Sequence, residues 1–255
     1  MHLSSALAAD DGQCVAVVGA GGKKTTLYRL GSALDRAVVT ATVRIPIFDD
    51  HVARVVVTAD PVSALASTAN ETADGTTERT DEWPLGLVPE RERDDRYRGY
   101  DPAVVDDVAA AHDGAVLVKA DGARTRLLKA PDEREPQVPS SAETVLPIAS
   151  ARVVGKPLTE EWVHRPERVA AVTGLDVGDE IDAEAVARVL ASPDGGLKDV
   201  PENAQVVAVV NMIDDDDRRA IGERVAAETL ARTDRIDRVV LTELISPEPV
   251  VEVFE

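Results

Sequence analysis

Apolar positions along the chain fall into short β-branched runs separated by stretches with helical spacing. Cys14-Val15-Ala16-Val17-Val18 is a continuous apolar run closed by Gly19, the pattern of a strand buried on both faces that meets a turn. Leu27, Leu30 and Leu34 then recur at helical spacing and predict a helix over 24–34. Val38-Val39 begins a second strand that runs out through Thr40-Ala41-Thr42-Val43-Arg44, and strand-type residues return at 54–58 before a short helix over 61–69. Asp101-Pro102 supplies an N-cap carboxylate and a proline at the first helical position, for a helix reaching Ala111. Ala115-Val116-Leu117-Val118 is another buried strand and leads into Lys119-Ala120-Asp121-Gly122. Helices are expected at 166–173, 183–191 and 216–231, with strands at 205–210 and 238–241. Strands alternating with helices predict an α/β fold, doubly wound around a mostly parallel sheet.

Two stretches interrupt this rhythm. From 70 to 98 the chain is polar and broken by Gly75, Pro84, Gly86 and Pro89, with only Leu85-Gly86-Leu87-Val88 strand-like, so it is expected to be an insertion in a single domain over 1–255. A Pro-rich stretch spans 130–147, and no strand is predicted within it.

The first strand and the first long helix enclose Gly19-Ala20-Gly21-Gly22-Lys23-Lys24-Thr25-Thr26. A strand, a glycine cluster, a lysine and a helix in that order suit phosphate binding: glycines let backbone N–H groups approach, the helix N-terminus favours negative charge, and lysine adds a point charge. The loop is therefore expected to hold the phosphates of ATP or GTP in a P-loop-like fold, with Lys23 facing the phosphate and Thr25 nearest to a bound Mg²⁺. Its spacing is shorter than the common G-x-x-x-x-G-K-[ST] and resembles the G-x-x-G-K loop of Mur-type ligases, which keeps a small-molecule ligase or kinase open as an alternative. The bland alternative is a tight strand-to-helix turn with both lysines on the surface.

Charge narrows the partners. The 28 Lys and Arg against 47 Asp and Glu give a net charge of −19, which argues against nucleic acid and anionic membranes as partners. Only six residues are Lys and 3% are aromatic, a composition similar to that of proteins from salt-loving microbes. Cys14 is the one cysteine, so neither an intrachain disulfide nor a Cys-cluster metal site is available. A cytoplasmic location is the expectation, since no apolar run approaches the ~20 residues of a membrane helix.

Further candidates cluster near strand ends. Asp121 is placed where nucleotide-hydrolysing folds hold Mg²⁺, with an Asp-Gly turn as the alternative. Lys119, two residues earlier, is expected to share its face and to pair with it. Arg124, Arg126 and Lys129 concentrate positive charge beyond it and suit phosphate or a second anionic substrate, or else surface pairs with Asp132, Glu133 and Glu135. Thr40, Thr42 and Arg44 are expected to face the phosphate loop. His164 and Arg165 suit a substrate carboxylate or phosphate, with His164 moving a proton near neutral pH, or else they cap a helix start. Asn211-Met212-Ile213-Asp214 resembles the Asn-Lys-x-Asp element that grips guanine, while Asp214 serves equally as the start of an acidic helix cap.

Taken together, the loop 19–26, Thr40 to Ile45, Ala120-Asp121-Gly122, Leu128-Lys129-Ala130-Pro131, Glu135-Pro136 with Pro139, Gly155-Lys156-Pro157-Leu158, Val163-His164-Arg165, and Asn211 with Asp214 resemble the YqeC-type family of selenium-dependent hydroxylase accessory proteins. The resemblance implies a nucleotide-binding protein that assists maturation of molybdenum hydroxylases, by Mg²⁺-dependent NTP hydrolysis or group transfer, or as a non-hydrolysing nucleotide-gated scaffold or chaperone. The family pattern has Glu where this chain has Lys119, and Thr where it has Lys24.

Overall fold

The computed structural model describes residues 1–71 and 82–255, apart from the side chains of 68–71. Nine strands form the main sheet: β1 (Cys14–Gly19), β2 (Val38–Ala41), β3 (Arg54–Val57), β4 (Leu85–Val88), β5 (Val116–Lys119), β6 (Ala142–Ser150), β7 (Gln205–Asn211), β8 (Arg238–Thr242) and β9 (Val250–Phe254). Helices α1 (Leu3–Ala6), α2 (Lys23–Ala33), α3 (Pro61–Glu71), α4 (Pro102–Ala111), α5 (Pro166–Thr173), α6 (Ala183–Ala191) and α7 (Asp216–Leu230) complete the frame. The spatial order is β9-β8-β7-β6-β1-β5-β2-β4-β3. Every pairing in it is parallel except that of β8 with β9. Among the described residues no helix is long and apolar enough to cross a membrane.

Alternation along the strands explains why helices cover both faces. Val15 and Val17 of β1 pack with Leu27 and Leu30 of α2, whereas Cys14, Ala16 and Val18 turn to the layer that holds Val105 and Val108 of α4. Farther along the sheet, Val206, Ala208 and Val210 of β7 meet Val186 of α6 and Val225 of α7. Helix α4 begins as its sequence dictates, with Asp101 accepting from the Ala103 N–H at 3.0 Å and Pro102 in the first turn.

The chain places β5 on one side of β1 and β6 on the other, so the crevice beside β1 is a topological switch point. Register brings the carboxyl ends together there: Lys119 lies beside Val17, Ile148 beside Gly19, and Asn211 between Ser150 and Thr242.

Two strands depart from the expectation. Leu85–Val88 is not part of an insertion; it is a fully buried strand between β2 and β3. Its polar flanks belong to surface connections, and the expected insertion's stretch from 72 to 81 lies outside the described residues. Strand β6 crosses the Pro-rich stretch and includes Pro147. Proline lacks the ladder donor, and the β7 register accommodates this by pairing Val145 and then Ile148, with no partner for Leu146 or Pro147.

Leu87 has no exposed surface. Leu87→Ala is therefore expected to destabilise the protein by about 2–5 kcal/mol in urea unfolding; a loss under about 1 kcal/mol would return this strand to the periphery.

Candidate anion-binding site

The glycine cluster is pinned from three sides. Gly19 leaves β1 at a φ of +87°, and a Cβ there would lie 2.3 Å from the Ile148 carbonyl oxygen, so only glycine fits. The Ala20 N–H donates to that same oxygen at 2.8 Å. Asn211 Nδ2 donates to the Gly21 carbonyl at 2.8 Å, while its Oδ1 accepts from Thr242 Oγ1 at 3.1 Å and from the Leu244 N–H at 3.2 Å. Helix α2 starts from this support without a side-chain cap. The Thr26 N–H reaches the Gly22 carbonyl at 3.0 Å, which leaves the N–H groups of Lys23, Lys24 and Thr25 without intrahelical acceptors. Such an end favours an anion through both its donors and its dipole.

Beneath the loop runs a chain of alternating charges. Lys23 Nζ lies 2.7 Å from Asp121 Oδ1, and Lys129 Nζ lies 2.9 Å from Asp121 Oδ2. Lys129 continues to Glu135 at 2.5 Å, Glu135 to Arg165 at 3.0 Å, and Arg165 to Asp132 at 2.6 Å. Backbone groups complete it: the Gly19 N–H donates to Asp121 at 2.9 Å, the Gly122 N–H donates to Glu135 at 3.0 Å, and Lys23 and Lys129 donate to the carbonyls of Gly19 and Gly122. Three cations thus face three carboxylates, and the set is neutral. Burial alone would raise the Asp121 pKa, but Lys23 and Lys129 outweigh it and hold the group below the ordinary carboxylate value.

Above this network lies a cleft of about 720 Å³, a size suited to a small-molecule ligand. Among the described residues, Lys23, Lys24, Arg44, Arg96, Lys119, Arg124, Arg126 and Arg165 line it against one carboxylate, Glu135. In a protein of net charge −19 this reversal of sign focuses a positive field. Arg44 is neutralised by Glu92 at 2.5 and 2.6 Å and Arg96 by Asp95 at 2.6 Å. Lys24, Lys119, Arg124 and Arg126 have no carboxylate partner among the described residues, Arg126 donating only to the carbonyls of Glu160 and Arg124. Lys119, 5% exposed, donates to the Arg44 carbonyl at 2.8 Å; desolvation, aided by the charge of Lys23, pushes it down to about 7. His164 also lines the cleft and is pushed down to about 4 by desolvation and by Arg165 and Lys129.

The structure places the expected positions as follows. Thr26 is buried with its hydroxyl on the Gly22 carbonyl, and Thr40 is buried with its hydroxyl on the Leu87 carbonyl, so neither reaches the cleft. Gly19 and Ala20 spend their N–H groups on Asp121 and Ile148. Lys129 pairs with Asp121 and with Glu135, the acid pairing its position also offers, while Arg165 pairs with Glu135 and Asp132 and Lys23 with Asp121. Lys119 does not pair with Asp121, because β5 ends at Lys119 and strand alternation no longer applies two residues on. Asp121 lies between the ammonium groups of Lys23 and Lys129 and accepts from the Gly19 N–H, while its buried Oδ1 accepts no hydrogen bond among the described residues. His164 is neutral at neutral pH and is not poised to shuttle protons there.

Asn211 and Asp214 of the guanine-type element lie outside the cleft. Asn211 uses its amide on the glycine loop and on β8, and Asp214 pairs with Arg152. The helix cap is Asp215, which accepts from the Arg218 N–H at 2.7 Å. Thr42 and Arg44 do line the cleft, Thr42 with its hydroxyl on the Gln137 carbonyl at 2.6 Å, as do Gly21, Gly22, Lys24 and Thr25. Sequence reasoning missed Arg96 and Gln137 as cleft residues. A usable signal lay in lysine scarcity: of six lysines, four converge here.

An open α/β sheet with a cationic cleft at its parallel carboxyl edge is the class that this fold and site define. The profile of the family described as YqeC protein matches residues 15–167, and the chain belongs to that family. The whole ion-pair network, from Lys23 to Arg165, falls within the match. The uncharacterized protein YqeC of Escherichia coli (strain K12) is 29% identical over 204 residues, covering 77% of this chain and 75% of that protein. No solved structure matches.

Asp121→Asn leaves Lys23 and Lys129 buried without their shared counter-charge. It is expected to cost about 3–5 kcal/mol of stability at pH 7. Because the folded carboxylate pKa is depressed, this contribution is present above the unfolded value of about 3.9 and is lost as pH falls through the lower folded value. Urea unfolding should show the gap between wild type and variant closing in acid; a pH-independent gap contradicts the pairing.

Proposed function

We propose that the cleft binds the polyphosphate of a nucleoside triphosphate. The phosphates rest on the free N–H groups at the start of α2, and Lys24, Lys119, Arg124 and Arg126 supply the counter-charge. The observation that carries this reading is the coincidence, among the described residues, of an uncapped helix N-terminus with four cations lacking carboxylate partners in one cleft of a strongly acidic protein. Lys23 borders the same surface and contributes its field while it neutralises Asp121.

Between turnover and nucleotide-gated scaffolding, the committed carboxylates favour the scaffold. Asp121 and Glu135 are held by cations and backbone donors, and His164, with a pKa near 4, is a weak base. Assistance to molybdenum hydroxylase maturation is the setting that membership in the YqeC family supports. Co-purification of such a hydroxylase with the tagged chain, dependent on added ATP or GTP, tests that setting.

The binding claim has a test that separates it from folding. Thr25 is half-buried in the first turn of α2 and lines the cleft. Aspartate in a first helical turn is favourable for the helix but repels a bound anion. Thr25→Asp should therefore keep or raise the melting temperature and abolish binding of a fluorescent ATP analogue. Lys24→Ala should weaken binding several-fold at unchanged stability. Wild-type affinity in Thr25→Asp would contradict the placement of the phosphates.

A further inference from the structure

We infer that this cleft takes its polyphosphate ligand free of divalent metal, with the ammonium of Lys119 and its cationic neighbours in place of the metal's charge. The inference rests on the phosphate-binding reading above and concerns the form of ligand recognised.

Magnesium is the ion that a P-loop-like site implies, and the donors present do not suit it. Mg²⁺ demands near-octahedral oxygen ligation and is usually bound through one or two carboxylates together with substrate phosphates. Both oxygens of Asp121 face ammonium groups, Oδ1 that of Lys23 in an ion-pair contact without hydrogen-bond geometry, and Oδ2 that of Lys129 together with the Gly19 N–H. Both oxygens of Glu135 are taken, Oε1 by the Gly122 N–H and Oε2 by Lys129 and Arg165. Among the described residues no group of three or more His, Cys, Asp or Glu side chains could hold a metal ion. The Thr25 hydroxyl lines the cleft with no free acid beside it.

Charge accounting leads the same way. The buried network is neutral on its own, so Lys24, Lys119, Arg124 and Arg126 are surplus to it. A metal-free triphosphate offers them its full negative charge, whereas its magnesium complex is partly neutralised. Lys119 is the sharpest case. It is almost entirely buried and donates one hydrogen bond; burial brings its pKa down to about 7, and in its protonated form two further ammonium donors have no protein acceptor among the described residues. Burying an unpaired ammonium is unfavourable, and a ligand oxygen arriving in the cleft offsets that penalty.

The test is a titration of the full chain with a fluorescent ATP analogue and, by competition, with inorganic tripolyphosphate, each in EDTA and in excess Mg²⁺. The expected result is an affinity in EDTA equal to or tighter than that in Mg²⁺. Lys119→Gln should lose roughly tenfold in EDTA, the loss expected for one charge-assisted hydrogen bond, without a lower melting temperature. Lys119→Glu should bind only when Mg²⁺ is present. Binding by wild type that requires Mg²⁺, or that tightens tenfold or more with it, overturns the inference while leaving phosphate binding intact. A Lys119→Gln variant with wild-type affinity in EDTA also overturns it. An absence of binding in both conditions removes the phosphate-binding reading itself, and this inference with it.

Discussion

Asp121 ties the architecture to the site. Its carboxylate collects the N–H of Gly19 at the end of β1, the ammonium of Lys23 at the start of α2, and the ammonium of Lys129 from the short strand Leu128–Lys129. Three separate segments are fixed relative to one another through one buried group. In so dry a setting an unpaired member would be strongly unfavourable, so the segments hold their places together. That constraint sets the mouth of the glycine loop and leads, through Lys129, to Glu135, Arg165 and Asp132.

The consequence is a division of labour among cations. One group is internal and fully matched by carboxylates. The other, Lys24, Lys119, Arg124 and Arg126, stands around the cleft with no acidic partner among the described residues. A chain carrying 47 acids has counter-ions to spare for most bases, so leaving these four unmatched shapes the potential of the site. The loop that carries Arg124 supports this view: Arg124 and Thr125 both adopt left-handed φ values, 48° and 60°. Neither is glycine, and such conformations persist only where the surroundings impose them.

Much of the fold was legible because its strands are clean apolar runs. Val15 to Val18, Val116 to Val118 and Val206 to Val210 could hardly be anything but buried strands, and Asp101-Pro102 announced its helix. Strand β6 escaped notice because Pro147 sits inside it, and only the skipped register against β7 makes that tolerable. Leu85 to Val88 was visible as a strand yet misassigned to an insertion, since its glycine and proline neighbours resemble a loop. At the site, the residue types were legible and most of their partnerships were not. Lys23, Asp121, Lys129 and Arg165 all stand out in the sequence, and for Lys129 so does pairing with acids such as Glu135, but the buried network that joins the four does not. Whether a lysine meets a phosphate or a carboxylate depends on which segments the sheet brings side by side. Asn211 shows the same limit: the sequence places it in a base-recognition element, and in the fold its amide clamps the glycine loop to β8.

Amide chemical shifts of the isotopically labelled protein, followed during addition of inorganic tripolyphosphate in EDTA, test the central claim most directly. The account predicts the largest perturbations at the N–H groups of Lys23, Lys24 and Thr25, with smaller ones at Arg124 and Arg126, while Gly19 and Ala20, bonded to Asp121 and Ile148, shift little. Perturbations confined to residues outside the cleft, or a spectrum that does not change, would contradict it.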